Sequence, residues 1–136
     1  MSAGDRSLND DEYRLLADFR YAIRGFFAFS KDAAAKAGLA PQQYQALLAV
    51  RARRDREVTI GDLAGELYIR HHSAVGLVDR LEKAGLMTRR NAGGGRRVLL
   101  DLTPKAETVL AGLASMHLAE LRRFAPTIRE LLSEQG

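Results

Sequence analysis

The stretch that most constrains this chain runs from Arg70 to Leu86, R-H-H-S-A-V-G-L-V-D-R-L-E-K-A-G-L. Read as a helix, at about 100° per residue, it divides into two faces. Ala74, Val75, Val78, Leu81 and Gly85 fall on one side. His72, Ser73, Gly76, Asp79, Arg80 and Lys83 fall on the other. The first set suits a core and the second suits solvent or a partner. Gly76 lies at the centre of the polar face, where a glycine costs roughly 1 kcal/mol relative to alanine. Close approach of another molecule to the backbone would account for it; so would plain tolerance on a solvated face.

The segment after Leu86 decides between these two possibilities. Thr88-Arg89-Arg90 reads as a strand, Asn91 to Gly95 as a glycine-rich turn, and Arg96 to Leu102 as a second strand, so the segment predicts a β-hairpin. Arg89, Arg90, Arg96 and Arg97 flank its tip. A helix with a polar outer face followed by a hairpin with a cationic tip is the layout of a winged helix-turn-helix. The helix enters the major groove, and the wing reaches phosphates or the minor groove.

The rest of the chain supplies the frame. A first helix is predicted from Asn9 to Ala37, capped by Ser7 or Asn9, with Asp10, Asp11 and Glu12 at the positive end of its dipole. Its stripe of Leu15, Leu16, Phe19, Ile23, Phe26, Phe27 and Ser30 is wider than one small core needs, which points to a subunit interface. Gly38 suits the position after a helix end and Pro41 the first turn of the next, over residues 41–54, with Tyr44, Leu47, Leu48 and Arg51 marking its inward face and its exit. Thr59 and Asp62 read as a capping box for a third, short helix, and Tyr68-Ile69 as the turn into the recognition helix. After the wing, Thr103-Pro104 restarts a helix, which Pro126 is expected to interrupt before a last helix ending near Leu132.

Composition narrows the function classes. At 136 residues the chain is expected to form a single domain. Its 21 Lys and Arg against 17 Asp and Glu give a net charge of only +4, so distribution carries more weight than the total. Arginines gather at 51–56, 70–97 and 122–129, and the acids at 5–18. The absence of cysteine excludes disulfides, thiolate catalysis and cysteine-ligated zinc. No apolar run reaches the ~18 residues of a membrane span, and the acidic, polar start does not read as a signal peptide, so a cytoplasmic location is expected. An enzyme reading fails on geometry: Ser73 and His72 are adjacent and point about 100° apart, with no nucleophile elbow nearby. His71, His72 and His117 do not converge readily enough to ligate a metal. Neither a catalytic residue, a metal nor a cofactor is expected. The reading from another class is a winged-helix protein-interaction module, against which the four wing arginines argue.

Four segments in order resemble the MarR family of bacterial transcriptional regulators: Leu39 to Leu47, Ile60 to Leu67, Val78-Asp79-Arg80-Leu81-Glu82-Lys83-Ala84-Gly85-Leu86, and Leu102-Thr103-Pro104-Lys105-Ala106. The resemblance implies a mainly α fold with a small β-hairpin wing (α+β), in which residues 9–37 and 104–135 are dimerisation helices and 41–103 the DNA-binding lobe of a single 1–136 domain. It implies a homodimeric regulator, most often a repressor, on double-stranded operator DNA. The residues expected at DNA are Arg70, His71, His72, Ser73, Gly76, Arg80, Lys83, Arg89, Arg90, Arg96 and Arg97. It also implies a small aromatic or phenolic effector, for which Phe19, Phe26, Tyr44 and Leu48 are the candidate lining. Two positions depart from the family pattern. Gly94 stands where an Asp usually orients the wing arginine, here Arg96, which predicts a mobile tip. Arg70 and His71 replace the usual Ser and Pro that open the recognition helix.

Overall fold

The computed structural model describes residues 7–92 and 97–133. The elements run α1 (Asp10–Lys36), α2 (Pro41–Ala52), α3 (Ile60–Leu67), α4 (His71–Lys83), β1 (Met87–Asn91), β2 (Val98–Leu102) and α5 (Pro104–Leu132). Mostly helical with one hairpin, this is the expected fold class. Expectations that fall on Gly94 and Arg96, including the mobility of the tip, lie outside the described residues.

Local chemistry places most element ends. Asn9 accepts from the Glu12 N–H at 2.8 Å, and Glu12 accepts from the Asn9 N–H at 3.0 Å, a reciprocal box that opens α1. Thr59 and Asp62 do the same for α3, at 3.1 and 3.0 Å. The Thr59 N–H held on Asp62 is the main cause that keeps the Asp62 carboxyl below its ordinary value; burial opposes it, and the Thr59 hydroxyl and the nearby Arg56 and Arg97 add to the lowering. A lowered folded pKa means stability that is present above the ordinary value of 3.8 and fades as the pH falls through the lowered one. Thr59→Ala removes the cap and is expected to cost about 1 kcal/mol in urea unfolding at neutral pH; an unchanged midpoint would mean that α3 is held by packing alone.

β1 and β2 pair antiparallel, from Met87 opposite Leu102 to Asn91 opposite Val98. The extended residues preceding α3 touch the edge of β2, with the Leu100 N–H donating to Val58 O at 2.9 Å and Thr59 forming a single bridge to Leu99. Against this small sheet pack α2, α3 and α4, around the fully buried Leu47, Leu63, Leu77, Leu81, Met87 and Leu99. The long helices α1 and α5 pack on each other, and Ala22, Ala33, Ala34, Leu110 and Leu113 are buried. Small side chains on α1 permit close approach there.

Expectations for three helices need correction. Leu77, not assigned to the inner face of α4, is 1% exposed, whereas Gly85 is exposed and closes the helix with φ +74°. Helical spacing puts Leu77 beside Ala74 and Leu81, so it shares their face. α2 ends at Ala52, short of residue 54, and Leu48, expected on its inward face, is 41% exposed, because the helix turns Ala46, Ala49 and Val50 into the core beside Tyr44 and Leu47. Finally, Pro126 does not divide the C-terminal helix, which is continuous to Leu132. A proline removes one N–H and crowds one carbonyl a turn earlier, and this near the end of a 29-residue helix the remaining hydrogen bonds carry the axis through.

Candidate nucleic-acid interface

α4 is a 13-residue helix with Ala74, Leu77, Val78 and Leu81 turned into the core. That leaves Arg70, His71, His72 and Ser73 exposed around its first turn, and Arg80 and Lys83 exposed further along. Gly76 is half-buried between them, and a Cβ built on it would meet only Arg80 Nη1, at 3.5 Å. The notch in the helix is therefore lined by a mobile guanidinium and not by core. Arg70 caps α4 without a side-chain hydrogen bond, so the first N–H groups of the helix are not met by a capping side chain.

The C-terminal end of α4 is tied down instead. Thr103 Oγ1 donates to Gly85 O at 2.6 Å and accepts from the Ala106 N–H at 3.1 Å. Lys105 Nζ donates to Ala84 O at 2.9 Å, and the Thr103 N–H to Leu86 O at 3.3 Å. One end of the exposed helix is thus locked to the start of α5 while the other remains available.

The charges are sorted in a way that residue types alone do not reveal. Arg89 on β1 is paired with both Asp79 and Glu82 of α4, the latter at 2.9 Å. Arg90 pairs with Asp101 across the hairpin at 2.7 Å. Arg70, Arg80 and Lys83 have no ionic partner among the described residues, and Arg97 is exposed beside the start of α3. The carboxylates on the α4 face are neutralised from behind, and its free charges are cationic. Of the expected contact residues, Arg70 caps α4 and six lie on it, all exposed but the half-buried Gly76; Arg89 and Arg90 are engaged within the chain, Arg97 is exposed on the wing, and Arg96 lies outside the described residues.

The four residues expected to line an effector crevice are parted. Phe26 and Tyr44 gather around His117 of α5: Tyr44 stacks on the imidazole at 4.2 Å, and Phe26 meets it edge-on at 6.0 Å. Leu48 lies on another side of α2, in a cleft of about 290 Å³ with Gln45, Ala52 and Leu67. Phe19 is exposed two turns before Phe26. His117 itself is 6% exposed, a buried polar residue that sequence reasoning left as a poor metal ligand. The Leu113 carbonyl, 2.7 Å from Nδ1, can only accept, which puts a proton on Nδ1. The buried Ser30 hydroxyl completes the pair at Nε2, also at 2.7 Å. Burial pushes the Tyr44 phenol above its ordinary value of 10.0, so it stays neutral. The cluster joins α1, α2 and α5. No group of metal-binding side chains occurs among the described residues.

Comparison with known proteins agrees with the fold. Residues 37–97 match the model of the MarR family. The fold is similar to that of AbsC, a MarR family transcriptional regulator from Streptomyces coelicolor, with a TM-score of 0.75 at 21% identity over 90% of this chain and 84% of that one. A MarR family protein from Bacillus stearothermophilus superposes with a TM-score of 0.72 at 21% identity, over 95% and 87% of the two chains. A variant of MepR from S. aureus, solved bound to an oligodeoxyribonucleotide, gives 0.66 at 20% identity over 86% and 83%. No curated protein matches the chain.

Proposed function

We propose that this chain, which has the winged helix-turn-helix fold of the MarR family, is a homodimeric, sequence-specific regulator that binds double-stranded operator DNA through α4 and the wing. The observation that carries this reading is the sorted charge of α4. Arg70, Arg80 and Lys83 have no ionic partner among the described residues, while Asp79 and Glu82, which would repel phosphates, are held by Arg89. The DNA-bound MepR variant supports the choice of ligand.

In this reading the first turn of α4 meets base edges. Ser73 and the two histidines offer hydrogen-bonding groups there, and the helix start contributes unpaired N–H groups and a positive dipole end. Arg80 and Lys83, about two and three turns on, fall near phosphates. Arg97 reaches the backbone from the wing. Arg89 and Arg90 serve from behind, by fixing the wing to α4 and closing the hairpin.

Selection of duplexes from a random library, followed by gel-shift titration, tests this; recovery of no preferred sequence would overturn it. Arg80→Ala is expected to weaken binding to every duplex by about tenfold and to lower the slope of log affinity against log salt by about one unit, as for one lost phosphate contact. His72→Ala and Ser73→Ala are expected to lower the preference for the selected duplex by roughly 1–3 kcal/mol and to leave non-specific binding intact.

Release by a small aromatic effector fits the Phe26–Tyr44–His117 cluster, because α1, α2 and α5 meet there and a ligand wedged among them would move the lobe relative to the long helices. An effector acts only through a difference in its affinity for the two arrangements. Calorimetry with phenolic acids, with and without operator duplex, reads that difference directly.

A further inference from the structure

Three helices of this chain end in the same way. In α1, α3 and α4 a left-handed residue follows the last turn, and the next residue returns its N–H to a carbonyl five positions back. The bonds are Leu39 N–H to Ala34 O at 2.8 Å, Ile69 N–H to Ala64 O at 3.0 Å, and Leu86 N–H to Leu81 O at 2.9 Å. α1 and α4 place glycine at the left-handed position, Gly38 at φ +80° and Gly85 at φ +74°. α3 places Tyr68 there, at φ +56°, and it is the only non-glycine residue with positive φ among the described residues. An L side chain in this conformation carries a steric cost that glycine avoids.

Among the described residues no contact of its side chain offsets that cost. The Tyr68 side chain is 96% exposed. Among the described residues its ring stacks on nothing and its hydroxyl bonds to nothing. Packing would accept glycine, as at the other two helix ends.

Position supplies a reason. Tyr68 stands two residues before Arg70, the cap of α4, and beside the exposed His71, His72 and Ser73. In a helix-turn-helix the recognition helix enters the groove while the preceding helix crosses the backbone. The turn between them then lies over the sugar-phosphate strand at the groove edge. No carboxylate occurs from Leu67 to Ser73, and the nearest one in sequence, Glu66, is paired with Arg53 at 2.8 Å. A phosphate arriving here meets donors and no repulsion.

We infer that Tyr68 is a backbone anchor for DNA: its phenol O–H donates to a phosphate, its ring lies against the adjoining deoxyribose, and together they set how deeply α4 enters the groove. This rests on the reading of α4 as the DNA-binding helix. Being neutral, the anchor positions the protein without displacing a counterion, which separates it from the arginines in experiment.

The test uses the full chain and its variants Tyr68→Gly, Tyr68→Asn and Tyr68→Phe. Fluorescence anisotropy titrations at several salt concentrations employ two duplexes, one selected by the wild type from a random library and one of scrambled sequence. Thermal unfolding is followed in parallel. Tyr68→Gly and Tyr68→Asn are expected to melt a few degrees higher, because the left-handed position is relieved. All three variants should bind both duplexes about tenfold more weakly, the scale of one hydrogen bond to a charged group, with the salt slope unchanged. A variant that binds as tightly as the wild type would overturn the anchor and leave the DNA reading standing, since the wild type would still select its duplex. A fall in melting temperature for Tyr68→Gly and Tyr68→Asn would overturn it as well, by showing that the ring serves the fold. If the wild type selects no duplex, the anchor and the reading beneath it fall together.

Discussion

Gly76→Leu is expected to abolish operator binding and leave the folded protein intact. The two halves of this result have separate causes. Within the chain, a Cβ at position 76 meets only Arg80 Nη1, the far end of a flexible side chain, at 3.5 Å. Replacing a mid-helix glycine also removes a propensity cost of roughly 1 kcal/mol, so unfolding should shift little or toward higher stability. At the DNA the same side chain stands between Ser73, one turn before, and Arg80, one turn after, on the face proposed to enter the groove. An isobutyl group there holds α4 away from the base edges. Each lost base contact costs about 1–3 kcal/mol, and a symmetric dimer loses it at both half-sites, so specific affinity should fall by more than about 100-fold. Gel-shift titration and thermal unfolding of the same preparation measure both halves. Full operator affinity in Gly76→Leu would show that α4 does not lie in the major groove.

The parts of this fold that were legible in the sequence are those written within a few residues of themselves. Asn9 with Glu12, Thr59 with Asp62, Gly38 at a helix end and Thr103-Pro104 at a helix start each carry their partner three or fewer positions away, and each stands in the structure as expected. Contacts across the fold were less legible. Arg89 is one of several arginines around a cationic hairpin, and nothing local reveals that Asp79 and Glu82, on another element, take up its charge. His117 is exposed or buried according to whether Ser30, 87 residues away, faces it. Pro126 carries a strong local signal to break a helix, and the length of α5 overrides it. Tyr68 was legible as a turn residue, but only backbone angles and exposure show that the turn would be better served by glycine.

Leu121→Glu is expected to separate the protein into monomers and, through that alone, to cost most of its operator affinity. Within one protomer α1 and α5 pack on each other and still leave large apolar side chains outside: Leu15, Leu16, Phe19 and Phe27 on α1, Met116, Leu118 and Leu121 on α5. Leu113, eight residues before Leu121 on the same helix, is 3% exposed and already used within the chain, so it lies outside the proposed interface. Leu121 is 50% exposed there, and a carboxylate at that position remains solvated in a monomer. In the proposed dimer the same carboxylate would be buried among apolar side chains once in each copy, and desolvation of an unpaired charge costs several kcal/mol. Light scattering should then give the 15.0 kDa of a single chain at micromolar concentration, while circular dichroism retains the helical signal. The DNA consequence follows from geometry. Two recognition helices spaced about 34 Å apart reach successive turns of one face of the duplex, and joining them makes the second engagement intramolecular, which is worth about 10²–10⁴ in affinity. A monomer keeps the same α4 surface and forfeits that factor, so it should bind one half-site as weakly as it binds two. A variant that stays dimeric and holds its operator as tightly as the wild type would place the subunit interface elsewhere on the molecule.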